Sequence, residues 1–328
     1  MKKLPAAVAI GLALWAASIP VSAAESGDTY AFIFENDLFY HTDRDYTNGI
    51  ELSWSPSETA SGVLPAFISS LIPQPFAQGD NRASYSLGQL MFTPEDTAST
   101  DPPTSERPYA GYLYGAYALT NTIESRQDVL RIQLGMVGPA SLAQDSQTFI
   151  HRLRGFALPQ GWHTQLRDEP GLVISYQRTQ NMVSATPGEP SNYDIKAHFG
   201  GAIGNVFDYI DAGAVARLGF NMPNDSGPPQ IGPALPGSYI YEPQKGLGAY
   251  LFVGIEGRAV GRNIFLDGNS FEYSRSVAKN PLVGDFSVGG AVTFDNYRLS
   301  FIHMFRSQEY RAQKGFDEFG TLCLSFNV

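Results

Sequence analysis

Cys323 is the single cysteine of the 328-residue chain, so no internal disulfide is available and something other than covalent staples must hold the fold. An oxidising compartment is tolerated on those terms, and hydrogen-bonded sheet is the obvious scaffold. Past Ile19 no segment reaches the ~18 consecutive apolar residues of a spanning helix, which excludes a helical membrane protein and leaves a membrane β-barrel open. Charged side chains make up only 16% of the chain, sparse for a soluble protein surface. The motifs of common hydrolases are missing as well. There is no Gly-x-Ser-x-Gly elbow to present a lipase-type nucleophile, and no His-Glu-x-x-His or Cys pair for zinc. No internal repeat of solenoid length occurs beyond strand alternation itself.

What is present begins with Met1-Lys2-Lys3, an apolar run from Ala6 to Ile19, and small residues at Ser22, Ala23 and Ala24. This is the layout of a secretory signal peptide over 1–24, with residues 25–328 as the mature domain. Without Lys2 and Lys3 the chain keeps 20 basic against 32 acidic side chains, a charge of −12. That balance repels nucleic acid and favours neutral or cation-bridged partners. About 300 mature residues suit either two soluble domains or one large barrel. Thirty-three Gly, 17 Tyr and 21 Phe, with so few charges, favour the barrel.

Period-two alternation runs the length of the mature chain. Tyr30, Phe32 and Phe34 mark a first strand, and Ile50, Leu52 and Trp54 a second. Further strands are expected over 84–92, 110–120, 129–137, 171–180, 193–203, 210–220, 247–258, 286–294 and 297–305, and a last one over Leu322, Leu324, Phe326 and Val328. Within 129–137, Leu130, Ile132, Leu134 and Met136 alternate with Arg131, Gln133 and Gly135, separating a lipid-facing from a lumen-facing set. The count is 12, an even number, as a bacterial barrel with both termini in the periplasm requires. A soluble sandwich would also alternate, with shorter strands and more charged outer faces.

Residues 56–83 and 93–109 are rich in Pro, Ser, Thr and Asp and read as long external loops. The connection 138–170 differs, because Pro139 can open a helix on which Leu142, Phe149 and Leu153 share one side. Gln147 and His151, four residues apart, project from roughly the opposite side. A histidine there is either a general base or an ordinary loop histidine. Glu35-Asn36-Asp37 closes the first strand, and Thr42-Asp43-Arg44-Asp45-Tyr46-Thr47-Asn48-Gly49 opens the second. These carboxylates, amides and hydroxyls are the hard oxygen donors calcium prefers, although Asn48-Gly49 also reads as a plain turn. His41, His163, His198 and His303 have no metal-type spacing with one another and read as surface or lumen histidines.

Taken in order, Asn36-Asp37, Asp45-Tyr46-Thr47-Asn48-Gly49, Arg107-Pro108-Tyr109-Ala110-Gly111, Gly138-Pro139-Ala140 and Gln147-x-x-x-His151 resemble the blocks of the lipid A 3′-O-deacylase family. Pro159-Gln160-Gly161-Trp162 and Asp168-Glu169-Pro170-Gly171 extend the likeness. The resemblance implies an all-β, 12-stranded antiparallel transmembrane barrel in the bacterial outer membrane, with a short helix in an external loop and an active site between wall and helix. It further implies that His151 activates water, that Ca2+ held near Asp37 and Thr47 polarises the ester, that Asn36 and Gln147 position ligands, and that Arg107 binds substrate. Lipid A within lipopolysaccharide would be the substrate, outer-membrane lipids the surroundings, and a monomer the working state. One departure stands out: residues 88–106, where family members can carry a lysine suited to a lipid A phosphate, contain no Lys or Arg. A phospholipase-like, calcium-dependent esterase and a non-catalytic porin-like barrel remain as alternative readings.

Overall fold

A computed structural model describes residues 27–40, 45–57, 76, 79–184, 192–233 and 237–328. The leader expected over 1–24 therefore lies outside the described residues, as do His41 and Thr42-Asp43-Arg44. Twelve strands follow one another: β1 (Thr29–Asn36), β2 (Asp45–Ser55), β3 (Asp80–Thr93), β4 (Ala110–Ile123), β5 (Arg126–Val137), β6 (Glu169–Ser184), β7 (Asn192–Gly204), β8 (Phe207–Phe220), β9 (Gln244–Asn263), β10 (Leu282–Asp295), β11 (Tyr297–Arg306) and β12 (Asp317–Asn327). Each pairs antiparallel with its sequence neighbours, and β1 pairs with β12 from Thr29↔Asn327 to Asn36↔Gly320, so the sheet closes into a barrel. Every segment expected from alternation is a strand. Most run a few residues longer than the pattern, because ladder pairing continues past the alternating apolar residues, as in β9, which extends to Asn263.

Alternation sorts the side chains as expected. Leu134, Ile203, Ile210, Leu251 and Ile255 stand outward and exposed, Leu251 at 71%, forming the apolar belt of a barrel that faces hydrocarbon. Their inward neighbours build paired charges. Arg131 meets Glu51 at 2.8 Å. Asp285 lies between Arg258 and Arg306. Arg217 bridges Asp194 and Asp225, and Arg298 closes on Asp225.

The termini, Ser55 and Asp80 share one end of the barrel. Of the stretch 56–83, expected to be an external loop, 80–83 belong to β3 and 58–75 and 77–78 lie outside the described residues; the strand ends that flank it, Ser55 and Asp80, are at the terminal end, which loop composition does not report. Asn48-Gly49 is likewise not a turn. It lies within β2, opposite Asn36 and Glu35, because register overrides the dipeptide's local preference.

The β8–β9 connection starts at that same end but turns inward. Tyr239 meets Arg131, Arg298 reaches the Ser238 carbonyl, and further up Arg306 donates to the Pro233 carbonyl at 2.8 Å. The Ile231 amide donates to Glu35 Oε1 at 3.0 Å, near the opposite rim. The described parts of this segment, 221–233 and 237–243, reach into the lumen, a role that nothing in its composition announces.

Asp225, on the inserted segment, is fully enclosed. Burial alone would raise its carboxyl, but Arg298, Arg217 and the Gly227 amide hold it below the ordinary carboxylate range. A depressed folded value means that the stabilisation is present above the unfolded value of about 3.9 and fades as pH falls through the folded one. Asp225→Asn is expected to cost about 3–5 kcal/mol at neutral pH by leaving buried arginines uncompensated. Urea unfolding in detergent checks this, with the gap from the parent protein narrowing below about pH 4.

Candidate functional site

The rim opposite the termini, where β1 to β4 end, carries the residues singled out by sequence. On β1 the inward positions include Ile33 and Glu35, so Asn36 falls on the outer face. Its amide donates to the Thr47 carbonyl at 2.9 Å, and the Asn48 amide donates back to the Glu35 carbonyl at 3.1 Å. Thr47 is the extra residue of a bulge between Tyr46 and Asn48. A bulge re-aims a side chain. Here Tyr46 turns into the lumen to bind Glu35 at 2.6 Å, while the Thr47 hydroxyl meets that of Thr93 at 2.7 Å. Asp37 opens a one-turn 3-10 helix, Asp37–Tyr40, and is buried.

Against the outer wall of β3 and β4 lies α1 (Ala143–Arg154). Pro139 does not start it. Pro139–Ser141 forms a separate 3-10 turn, and Leu142, in the left-handed region at φ 59°, breaks the path before α1 begins. Ala143, Gln147 and His151 form its buried stripe. Leu142, Phe149, Ile150 and Leu153 are exposed, Leu153 at 67%. The helix is thus inverted relative to one on a soluble protein: polar Gln147 and His151 face the wall, while apolar Phe149, Ile150 and Leu153 are exposed beside Gln144, Asp145, Arg152 and Arg154.

The wall beneath α1 is shaped to receive it. A Cβ on Gly111 would stand 2.1 Å from Ser141 Oγ and 2.3 Å from Ala143 Cβ, so only glycine allows this approach. Met91, Tyr109, Ala143 and Trp162 pack as one buried cluster, and Gln89 donates to the Ser141 carbonyl at 2.6 Å. The Trp162 indole donates to Gln147 Oε1 at 2.7 Å, fixing the amide. His151 Nδ1 lies 2.6 Å from the Ala157 carbonyl. A carbonyl only accepts, so the bond places the ring proton on Nδ1 and makes Nε2 the basic nitrogen. Trp162 and Ala157 were not singled out as functional, although the Pro159 to Trp162 block was the signal that pointed to the first.

Not every candidate joins this side of the wall. Asp45 turns to Tyr310 at 3.1 Å and Gln313 at 3.4 Å. Arg107 is buried, 3.1 Å from Glu309 and 3.8 Å from Asp45, and its guanidinium lies over the Phe92 ring at 4.7 Å. Burial alone would lower its basicity, but Glu309 and Asp45 hold it above the ordinary arginine value, so it stays charged. The structure therefore joins Asn36 to Thr47 at the rim, with buried Asp37 next in the chain, sets Gln147 and His151 on the buried stripe of α1 against β3 and β4, and places Arg107 among protein carboxylates.

A family model described as "Outer membrane protein LpxR" matches residues 4–328. The chain belongs to the LpxR family. Membership and the closed barrel together place it in the bacterial outer membrane. Among solved structures, LpxR from Salmonella typhimurium superposes with a TM-score of 0.74 over 92% of this chain and 100% of that one, at 19% identity, and so shares the fold. The β domain of the Bordetella autotransporter BrkA, with a TM-score of 0.42 at 8% identity, covers 93% of this chain and all of its own. No curated protein matches the chain by sequence.

Gly111→Val is expected to undock α1 while the barrel still closes. Limited proteolysis should then cut within 143–154, with the heat-dependent gel mobility of a folded barrel retained.

Proposed function

We propose that this LpxR-family protein is a lipid A 3′-O-deacylase that cleaves the 3′-linked acyloxyacyl ester with water as acceptor. The observation that carries the reading is the inverted α1. Its buried stripe holds His151, with Nε2 as its base, and Gln147 against the outer wall, beside the rim that presents Asn36, Asp37 and Thr47. A site on the outside of a barrel wall, roofed by a helix that exposes Phe149, Ile150 and Leu153, takes its substrate sideways from the membrane. An exported enzyme in the outer leaflet would meet lipopolysaccharide there.

In the proposed reaction His151 Nε2 removes a proton from water as the oxygen attacks the ester carbonyl. Collapse of the tetrahedral intermediate breaks the bond to the sugar oxygen, which recovers the proton from His151. The products are a free acyloxyacyl acid and a lipid A with an open 3′ hydroxyl. Gln147, held by Trp162, and Asn36 orient water and carbonyl. The Asn36, Asp37 and Thr47 side chains offer an amide oxygen, a carboxylate and a hydroxyl, an all-oxygen set that fits Ca2+. Calcium bound there would supply positive charge for the developing oxyanion. Arg107, paired with Asp45 and Glu309, contributes from behind the rim by fixing its shape.

A serine-based phospholipase mechanism has less support. Ser141, under α1, donates its hydroxyl to the Gly138 carbonyl at 2.5 Å, and the His151 Nδ1 proton goes to Ala157 rather than to an orienting carboxylate.

Lipid A mass spectra from cells expressing the protein test the proposal. Loss of one 3′ acyloxyacyl group is expected with the parent protein and with Ser141→Ala. The effect should vanish with His151→Ala or under calcium chelation, with general-base removal costing about 10²–10⁴ in rate. Unchanged lipid A in every sample would remove the deacylase reading, and an acyl-enzyme on a serine would remove water activation.

A further inference from the structure

Three lumen side chains that the lipid chemistry does not use converge far around the barrel from α1. They are His198 of β7, Asp211 of β8 and Glu256 of β9, and one donor atom from each lies within 4.8 Å of the others. Among the described residues this is the one such grouping of His, Cys, Asp and Glu. Nothing in their sequence spacing suggests it; only strand register brings them together. His198 stands opposite Gly213, which in turn stands opposite Glu256. A Cβ on Gly213 would lie 2.5 Å from His198 Cε1 and 2.7 Å from Nε2, so its bare backbone lets the imidazole lie across β8 toward Glu256. Asp211, two residues before Gly213, faces the same lumen and is partly exposed there.

The spacing within the group is informative. His198 Nε2 and Glu256 Oε2 are within hydrogen-bond distance at 3.2 Å, the long end of the ~2.7–3.2 Å range. The separation also falls within the roughly 2.9–3.4 Å that separates two donors each about 2.0–2.1 Å from one ion at octahedral to tetrahedral angles. Both carboxylates are also held from behind. Gln177 Nε2 donates to Asp211 Oδ1 at 2.9 Å, and Arg258 binds Glu256 Oε1 at 2.6 Å and Asp285 at 2.8 Å. Such outer partners fix the orientation of metal ligands. Arg258 is shared between Glu256 and Asp285, and Arg306 between Asp285 and Glu309, so two guanidiniums serve three carboxylates and a cation beside Asp211 and Glu256 would offset the remaining negative charge.

We infer that His198, Asp211 and Glu256 form a structural site for a divalent transition-metal ion of the Zn2+ class, with lumen water completing the coordination. One nitrogen and two carboxylate oxygens suit zinc and its neighbours better than calcium or magnesium, which take oxygen donors. The site would tie β7, β8 and β9 together from inside, independently of the lipid chemistry at the outer rim.

The test uses the folded full-length barrel in detergent, stripped with chelator, returned to Zn2+ and dialysed, with bound metal counted by elemental mass spectrometry. One equivalent of zinc is expected, undisplaced by excess Ca2+ and raising the unfolding temperature. His198→Gln and Asp211→Asn should each abolish retention in barrels that keep folded gel mobility, Gln177→Leu should weaken it about tenfold, and His151→Ala should leave it intact. Failure of the parent protein to hold zinc would overturn the site and leave a plain His198–Glu256 hydrogen bond. Retention unaffected by either His198→Gln or Asp211→Asn, or lost with His151→Ala, would equally place the ion elsewhere and overturn it.

Discussion

Backbone hydrogen bonding inside a hydrocarbon layer governs the rest of this molecule. Each amide and carbonyl that crosses the bilayer must find a protein partner, and a closed sheet is one of the few arrangements that provides them all. Here closure depends on β1 pairing with β12 along the whole of β1, with Tyr30 stacked on Phe326 at 5.2 Å on the outer face. Once the sheet is closed, a side chain has only two directions, lipid or lumen. A polar cluster on the outer face then needs both a departure from the ladder and a cover. The bulge at Thr47 is the departure, and α1 is the cover.

The same closure leaves an interior that must be filled and charge-balanced. Paired arginines and carboxylates do part of this, and the inserted β8–β9 connection does the rest by carrying Asp225 to Arg217 and Arg298. Its Ile231 amide ends on Glu35, which also accepts from Tyr46 and Thr321. Glu35 is the residue before Asn36, so the lumen filling and the outer rim share one strand end. The packing of the interior thereby fixes the backbone on which the candidate site is built, although the two lie on opposite faces of the wall. A lumen occupied in this way also argues against a porin-like reading of the barrel.

Sequence alone determined the features that repeat at short range. Twelve alternating segments, the lipid-facing set within 129–137, and a helix with Gln147 and His151 on one side and Phe149 and Leu153 on another were all legible, because side-chain direction follows from local backbone geometry; the break at Leu142 was not. Ordered short blocks such as Arg107-Pro108-Tyr109-Ala110-Gly111 were legible by resemblance.

Tertiary structure alone decided what depends on which segments meet. Register brought His198 to Asp211 and Glu256, turned Asp45 and Arg107 toward Tyr310 and Glu309, and placed Asn48-Gly49 inside a strand. The end of the barrel at which Ser55 and Asp80 lie followed from strand order, and the inward path of the described β8–β9 residues from their bonds to Arg131, Arg298, Arg306 and Glu35, rather than from loop composition. The facing of α1 was decided in the same way. Its periodicity fixes two stripes but not which one meets protein.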